Sequence, residues 1–266
     1  MRNAILKELS PGHPWGESLH YYDTIDSTNV KARELAKSGA PHGTVLIAGH
    51  QTGGRGRMGR SFHSPEGVGV YFTVILRPEC HATELMHLTC AAAIAGCDAV
   101  EAAVGLKPGI KWTNDLVWEK RKLGGILTEL GLKRDGSVDY AIIGIGINCC
   151  QQEADFPEEI RAIAASLSMV KGTPVSRSRL SAALVEAFFR MDTELLTKKE
   201  DILNRYRANC VTLGKEISLV RSDGNVHHGV ALDIDGEGAL IVRHDDGRME
   251  AVSSGEVSVR GMYGYL

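Results

Sequence analysis

The sequence predicts an α+β protein in two parts, a mixed or antiparallel sheet flanked by helices followed by a small all-β unit. In the first part, apolar runs typical of strands follow one another across hairpin-length connections, unlike the strand–helix alternation of a doubly wound sheet. After residue 213, short β-rich runs recur every roughly 8 to 12 residues, which is typical of a small barrel or sandwich. We therefore expect a larger α+β domain at 1–212 and a small β domain at 213–266.

The composition is ordinary for a soluble globular protein. Of the 266 residues, 43% are apolar and 24% are charged,. The formal net charge of −3 argues against a strongly basic nucleic-acid-binding protein,. The N-terminus has no signal-like segment, and no apolar run is long enough for a membrane span. The six cysteines form no C-x-x-C pair, so we expect free thiols in a reducing compartment and a cytoplasmic protein.

The first helix is predicted at residues 30–37, and small oxygen-bearing side chains precede it. Asp26 and Ser27 have the chemistry of an N-cap, which is the simplest interpretation of this cluster,. A helix N-terminus also presents free amides and hydroxyls to a polar ligand. The segment 26–29 is therefore a candidate for either role.

The segment 53–60 follows an apolar run, 44–48, that reads as a buried strand,. Half of it is glycine, and Arg55, Arg57 and Arg60 supply planar cationic donors,. This combination predicts a loop that wraps an anion, with a solvated turn as the alternative. Its glycines also fit G-x-G-x-x-G, but a helix does not follow them, so a Rossmann site is not expected.

The remaining elements follow from periodicity and turn residues. The pattern predicts strands at 70–76, 122–130 and 140–148, and two short strands within 110–118 around a turn at Thr113–Asn114,. Long helices are predicted at 83–104, 176–196 and 198–210, with loops and short helices at 151–174,. The β domain should contain strands at 216–220, 229–234, 239–243, 249–252 and 257–259, with glycine turns at Asp223–Gly224, Asp235–Gly236, Asp246–Gly247 and Ser254–Gly255.

Basic side chains collect at the predicted strand ends of the first domain. The arginines of 53–60, Lys111 beside Asn114 and Asp115, and Lys122 all fall at such positions. Cations gathered without an equal number of carboxylates indicate a ligand that brings negative charge, and phosphate suits several at once. The sequence thus predicts a phosphate-bearing ligand.

Five motifs, taken in order, resemble those of biotin–protein ligases. They are DSTN at 26–29, GRGRMGR at 54–60, KWTND at 111–115, KLGGILTE at 122–129 and GIGIN at 144–148. The resemblance covers about residues 21–148, and the β domain also fits the family. It implies a class II synthetase-like catalytic domain followed by an SH3-like barrel. It also implies an ATP-dependent ligase that converts biotin to biotinyl-AMP and then biotinylates a lysine of a biotin carboxyl carrier protein.

The resemblance also assigns roles to residues. Those expected to contact biotin are Ser27, Thr28, Asn29, Gln51, Gly54, Arg55, Lys122, Gly124 and Gly125, with Ile126 beside the two glycines. Those expected to contact ATP or the adenylate are Arg55, Arg57, Arg60, Lys111, Asn114, Lys122 and Asn148, the last also being explicable as a turn asparagine. The catalytic set is Arg57, Lys122, Lys111 and Asp115, where Arg57 and Lys122 stabilise charge on the α-phosphate and Asp115 is the candidate ligand for Mg²⁺.

The chain departs from the family at one position, and some alternatives stay open. Thr113 stands where the family usually has proline, so the turn at 113 lacks the rigidity that proline would give it.

Because few residues precede the first motif, we expect a ligase without a DNA-binding repressor domain, and the resemblance implies a homodimer. The nearest alternative is a lipoate or octanoate ligase of the same fold. A non-enzymatic alternative is an RNA-binding or adaptor module that uses the arginine loop.

Overall fold

A seven-stranded sheet forms the centre of the first domain in the computed structural model, which describes residues 1–221, 224–253 and 257–261. Its strands are β1 (Leu19–Tyr22), β2 (Thr44–Ala48), β3 (Gly69–Leu76), β4 (Gly109–Lys111), β5 (Asp115–Trp118), β6 (Arg121–Leu132) and β7 (Val138–Asn148). They lie in the order β1-β2-β3-β7-β6-β5-β4. β1 and β2 are parallel and the other neighbours are antiparallel, so the predicted mixed sheet is confirmed.

Helices cover both faces of this sheet. They are α1 (Arg2–Glu8), α2 (Thr28–Lys37), α3 (Leu88–Val104), α4 (Glu158–Arg161), α5 (Leu167–Lys171), α6 (Arg177–Glu194) and α7 (Lys199–Asn209). The large hydrophobic core includes α3 and α6, whereas α2 packs on the opposite face over a smaller cluster. Every residue of β3 is buried, as expected for a strand covered on both sides,. This double cover explains why β2, β3 and β7 read as continuous apolar runs.

Two features differ from the sequence prediction. The helix expected at 83–104 is interrupted, because a 3₁₀ turn at Ala82–Leu85 precedes α3, which begins at Leu88. By length and composition this stretch could cross a membrane, but most of it is buried inside the protein, as befits a core helix. α1 was not anticipated; its single fully buried side chain, Ile5, gives little periodic signal.

The C-terminal domain is all β. Its strands are β8 (Glu216–Arg221), β9 (Val226–Ile234), β10 (Leu240–His244), β11 (Met249–Val252) and β12 (Val257–Gly261). They form one sheet in the order β11-β10-β9-β8-β12, and each neighbouring pair is antiparallel. The predicted strands are confirmed, while Asp223 and the turn predicted at Ser254–Gly255 lie outside the described residues. Side chains such as Leu219 and Val242 belong to the same hydrophobic cluster as the first domain.

Candidate active site

A pocket lies on the central strands of the first sheet, beneath the start of α2 and the segment 53–64. Its empty space, counted together with the solvent at its open mouth, is about 320 Å³. The lining residues are Ser27, Thr28, Asn29, Gln51, Arg55, Phe62, Tyr71, Phe72, Gly125, Leu127, Gly144, Ile145 and Gly146. The start of α2 and the segment 53–64 lie directly on β7 and leave little room for side chains at Gly144 and Gly146. A Cβ on Gly144 would lie 1.9 Å from Asn29 Oδ1, and a Cβ on Gly146 would lie 2.5 Å from the Phe62 ring.

A polar network builds one wall of this pocket. The backbone amide and hydroxyl of Thr28 donate to Gln51 Oε1 at 2.8 and 3.1 Å. Gln51 Nε2 in turn donates to Ser64 Oγ at 3.0 Å. The Ser27 hydroxyl does not cap α2, although Ser27 occupies the N-cap position. The simple N-cap interpretation is therefore wrong for this side chain, which lies buried at the pocket instead.

Asn29 anchors the start of α2 to the sheet. Its Nδ2 donates to Glu129 Oε2 at 3.0 Å, and Glu129 also pairs with Arg33 on α2. The Thr73 hydroxyl on β3 lies 2.8 Å from both Thr28 Oγ1 and Asn29 Oδ1, and it can donate its one proton to either oxygen,. Sequence reasoning missed the supporting roles of Ser64, Thr73 and Glu129. Their only sequence signal is polarity in or next to strands, which does not identify their partners.

The arginine segment folds back over the pocket as a flap, defined here as residues 53–62. The Phe62 amide donates to the Gly54 carbonyl at 2.9 Å, and the Gly56 amide donates to the Arg60 carbonyl at 2.7 Å. A Cβ on Gly54 would lie 2.4 Å from the Phe62 carbonyl oxygen. The backbone must come this close for the flap to close on itself, so glycine is required at 54.

The three arginines of the flap do not share one environment. Arg55 and Arg60 are exposed, whereas Arg57 is half-buried. Arg57 Nη1 donates to Asn114 Oδ1 at 2.9 Å, which ties the flap to the turn between β4 and β5. Burial lowers the pKa of the Arg57 guanidinium from its ordinary value, while the nearby Asp115 carboxylate opposes that shift. An arginine remains charged at neutral pH despite such a shift.

The lysines predicted from the motifs meet the flap at the pocket. Lys122 Nζ lies 2.6 Å from Asp115 Oδ1 and 6.0 Å from the centroid of the Phe62 ring. Lys111 lies opposite Asp115 in the register of β4 and β5 and is buried. The structure therefore brings Lys122 into contact with the Asp115 carboxylate, with Arg57 within its electrostatic influence and Lys111 on the neighbouring strand. An excess of positive charge at the pocket edge suits an anionic ligand.

The residues near Asp115 can be compared with the requirements of magnesium. No group of three or more His, Cys, Asp or Glu side chains is arranged for a metal among the described residues. Mg²⁺ in nucleotide sites is usually held by one or two carboxylates together with substrate phosphates and waters. Asp115 fits that role as the single protein carboxylate. Lys122 would then have to exchange its partner for phosphate oxygen.

Two predicted contacts have a structural use as well. Asn148 Nδ2 donates to the Ala165 carbonyl at 3.1 Å, and its Oδ1 accepts from Gln151 at 3.3 Å, so its adenine contact stays a prediction.

Gly125 lines the pocket, but Gly124 does not. A Cβ on Gly124 would lie 2.5 Å from the Gly146 carbonyl oxygen, so glycine at 124 is required by the packing of β6 on β7.

Comparisons with known proteins match both domains. The model of the biotin/lipoate A/B protein ligase family matches residues 21–148, and that of the biotin protein ligase C-terminal domain matches residues 212–260. The bifunctional ligase/repressor BirA of Bacillus spizizenii is 38% identical over 233 residues, covering 87% of this chain and 71% of that protein. The biotin–[acetyl-CoA-carboxylase] ligase of Mycobacterium tuberculosis is 31% identical, covering 94% and 91% respectively. The solved biotin protein ligase from Aquifex aeolicus, in complex with biotin and ATP, aligns with a TM-score of 0.76 at 28% identity and covers 91% of this chain and 98% of that one.

Proposed function

Because the chain belongs to the biotin/lipoate A/B protein ligase family, we propose that its pocket binds biotin and that the cations at the pocket edge bind ATP. The protein is an ATP-dependent biotin–protein ligase. The single observation that supports this assignment best is that Lys122 lies beside Phe62 and Gly125 of the polar pocket, while Arg57 bonds to Asn114 next to Asp115, the ion-pair partner of Lys122. A small acid and a nucleotide would meet there.

The pocket suits the two ends of biotin. Thr28, Gln51 and Ser64 present fixed donors and acceptors to a neutral polar ring such as the ureido group. Phe62, Phe72 and Leu127 supply apolar surface for the valeryl chain. Thr28, Gln51 and Ser64 already bond to one another, and a ureido ring offers them further donors and an acceptor, whereas a dithiolane ring offers no comparable hydrogen-bonding group. This favours biotin over lipoate.

The first half-reaction joins two anions, so positive charge must be present where they meet. A carboxylate oxygen of biotin attacks the α-phosphorus of ATP, and the bond from that phosphorus to the bridging oxygen of pyrophosphate breaks. Arg57 and Lys122 stabilise the charge that develops on the α-phosphate oxygens. Lys111 adds to the field from β4. When bound at Asp115, Mg²⁺ would neutralise further phosphate charge.

The second half-reaction requires protection of the intermediate. The ε-amine of an acceptor lysine attacks the acyl carbon of biotinyl-AMP, an amide bond forms, and AMP leaves with the electron pair of the broken acyl–oxygen bond. Water would attack the same carbon, so the flap must exclude it. The Arg57–Asn114 contact holds the flap against the β4–β5 turn for this purpose.

Several finer points are also part of the proposal. The acceptor in this proposal is a biotin carboxyl carrier protein; the Mycobacterium relative is a biotin–[acetyl-CoA-carboxylase] ligase. Mg²⁺ dependence, an SH3-like C-terminal fold, a homodimer and a cytoplasmic location follow from the family resemblance. Light scattering of the purified protein tests the dimer, and EDTA tests the metal requirement.

Pyrophosphate release tests the proposed function. The protein is incubated with ATP and Mg²⁺ and with biotin, lipoate or octanoate in separate reactions. We expect release with biotin and little with the other two acids, followed by a mass increase on a carrier domain. Release with lipoate but not biotin would instead identify a lipoate ligase. Salt-dependent oligonucleotide binding without any pyrophosphate release would indicate the RNA-binding alternative.

A further inference from the structure

The turn at 111–115 holds three predicted site residues, yet the sheet itself supports it weakly. β4 is only three residues long and lies at the edge of the sheet. Within the sheet, β4 pairs with β5, and this pairing ends at Lys111 and Asp115. An edge strand of this length contributes few ladder hydrogen bonds. Precise placement of Lys111 and Asn114 therefore needs support from outside the sheet.

That support comes from the segment that joins the two domains. The Val211 amide donates to the Ile110 carbonyl at 2.9 Å, which extends the outer side of β4. The Trp112 amide donates to Thr212 Oγ1 at 2.9 Å. The connector thus supplies the acceptor that a further strand would otherwise provide to Trp112.

Two more contacts fix the turn from α7 and from the C-terminal sheet. Tyr206 Oη donates to the Thr113 carbonyl at 3.0 Å. The Trp112 indole Nε1 donates to the Gly238 carbonyl at 3.1 Å, and Gly238 lies between β9 and β10. The two chain segments that hold the turn are therefore distant in sequence from the motif and lie partly in the other domain.

These contacts are made away from solvent. Tyr206 is 0% exposed, and Thr212 and Trp112 are 4% exposed. Burial raises the pKa of Tyr206, so its hydroxyl stays protonated and remains a donor. If either hydroxyl is removed, a buried backbone group of the turn loses its partner, and water does not replace it readily. The turn would then relax toward other conformations.

We infer that Tyr206 and Thr212, assisted by the Gly238 carbonyl, are positioning residues for biotin activation. They hold the backbone of the turn so that Lys111 and Asn114 meet the nucleotide and the flap in one arrangement. The inference rests on the proposed ligase function and deepens it, because it makes the C-terminal half of the chain part of the first half-reaction. Neither Tyr206 nor Thr212 lines the pocket.

Two conservative variants test this inference. Tyr206→Phe and Thr212→Val each remove one hydroxyl and keep the shape of the side chain. We expect each to slow single-turnover pyrophosphate release by about tenfold, equivalent to about 1.4 kcal/mol. The dissociation constant of biotin should stay within about twofold, because the pocket is lined by the start of α2, the segment 51–62 and strands β3, β6 and β7, and not by the turn at 111–115. Thr212→Ser keeps the hydroxyl that accepts from the Trp112 amide, so it should keep most of the rate of pyrophosphate release.

Thr44→Val is the matched control. The Thr44 hydroxyl is also buried and donates to the Pro41 carbonyl at 2.7 Å, but it lies away from the turn, so the rate should be retained. A general loss of folded protein would lower the number of biotin sites per chain together with the rate. Normal pyrophosphate release per bound biotin in both variants would overturn the inference. If the wild-type protein released no pyrophosphate with biotin and ATP, the proposed ligase function itself would be refuted.

Discussion

The close approach of the flap to itself makes Gly54→Ala the most informative substitution at the pocket. An added Cβ would lie 2.4 Å from the Phe62 carbonyl oxygen and 2.5 Å from Ser64 Oγ, whereas ordinary contact begins at 3.4 Å. The two backbone segments would have to separate by about 1 Å, the difference between 3.4 and 2.4 Å. That shift would break the Phe62–Gly54 backbone hydrogen bond and the Gln51–Ser64 bond.

The expected loss can be given a magnitude. Each hydrogen bond contributes about 0.5 to 1.5 kcal/mol net, so two contribute about 1 to 3 kcal/mol. If biotin must bind to the closed arrangement, this energy appears as a dissociation constant roughly 5- to 150-fold higher. Isothermal titration with biotin measures it directly. Thermal melts would show whether the fold has been kept.

The adjacent glycine supplies the control. A Cβ on Gly53 would lie 3.5 Å from the Asp26 carbonyl oxygen, which is ordinary contact. Gly53→Ala should therefore bind biotin nearly as the wild-type protein does. Equal affinities for Gly54→Ala and the wild-type protein would refute the reasoning, since they would show that the flap tolerates this separation.

Three further outcomes are expected. Lys122→Met removes the cation beside Asp115 and should slow pyrophosphate release roughly 100-fold or more; a normal burst would show that this lysine is peripheral. Arg57→Ala unties the flap and should speed escape or hydrolysis of biotinyl-AMP, which chromatography of the retained adenylate measures; unchanged retention would remove the role. The hydrogen bond to Asp192 raises the pKa of His42, so the stability from this pair is full below about pH 6.5 and is lost as pH rises through the higher folded pKa. The Tm of the wild-type protein should therefore fall as the pH rises through the pKa of His42, and the Tm of Asp192→Asn should fall less over the same pH range. Parallel plots of Tm against pH for the wild-type protein and Asp192→Asn would contradict this prediction.

Much of the fold could be predicted because its signals are local. The continuous apolar runs of β3 and β7, and the glycine turns of the C-terminal sheet, identify strands without knowledge of their partners,. Ser176 was predicted as an N-cap, and its hydroxyl accepts from the Arg179 amide. Where local signals were weak or conflicting, prediction failed: α1 was missed, and the break before Leu88 was not seen.

The site shows the same division. The motif residues Arg57, Asn114 and Lys122 were identified from charge and position, and the structure brings them together. The reason for glycine at 124 was not readable, because the excluding atom belongs to Gly146 on a neighbouring strand. Strand register decides that contact, and no pattern around residue 124 encodes it.

The sequence alone thus determined which side chains carry charge, which segments form strands and helices, and the family to which the motifs point. These are properties of short stretches, set by residue type and spacing. Only the tertiary structure decided that Thr73 supports Thr28 and that Thr212 and Gly238 hold the turn after Lys111. Such contacts join groups far apart in the chain. They depend on strand register and on how the two sheets pack, which are fixed only when the whole core is assembled.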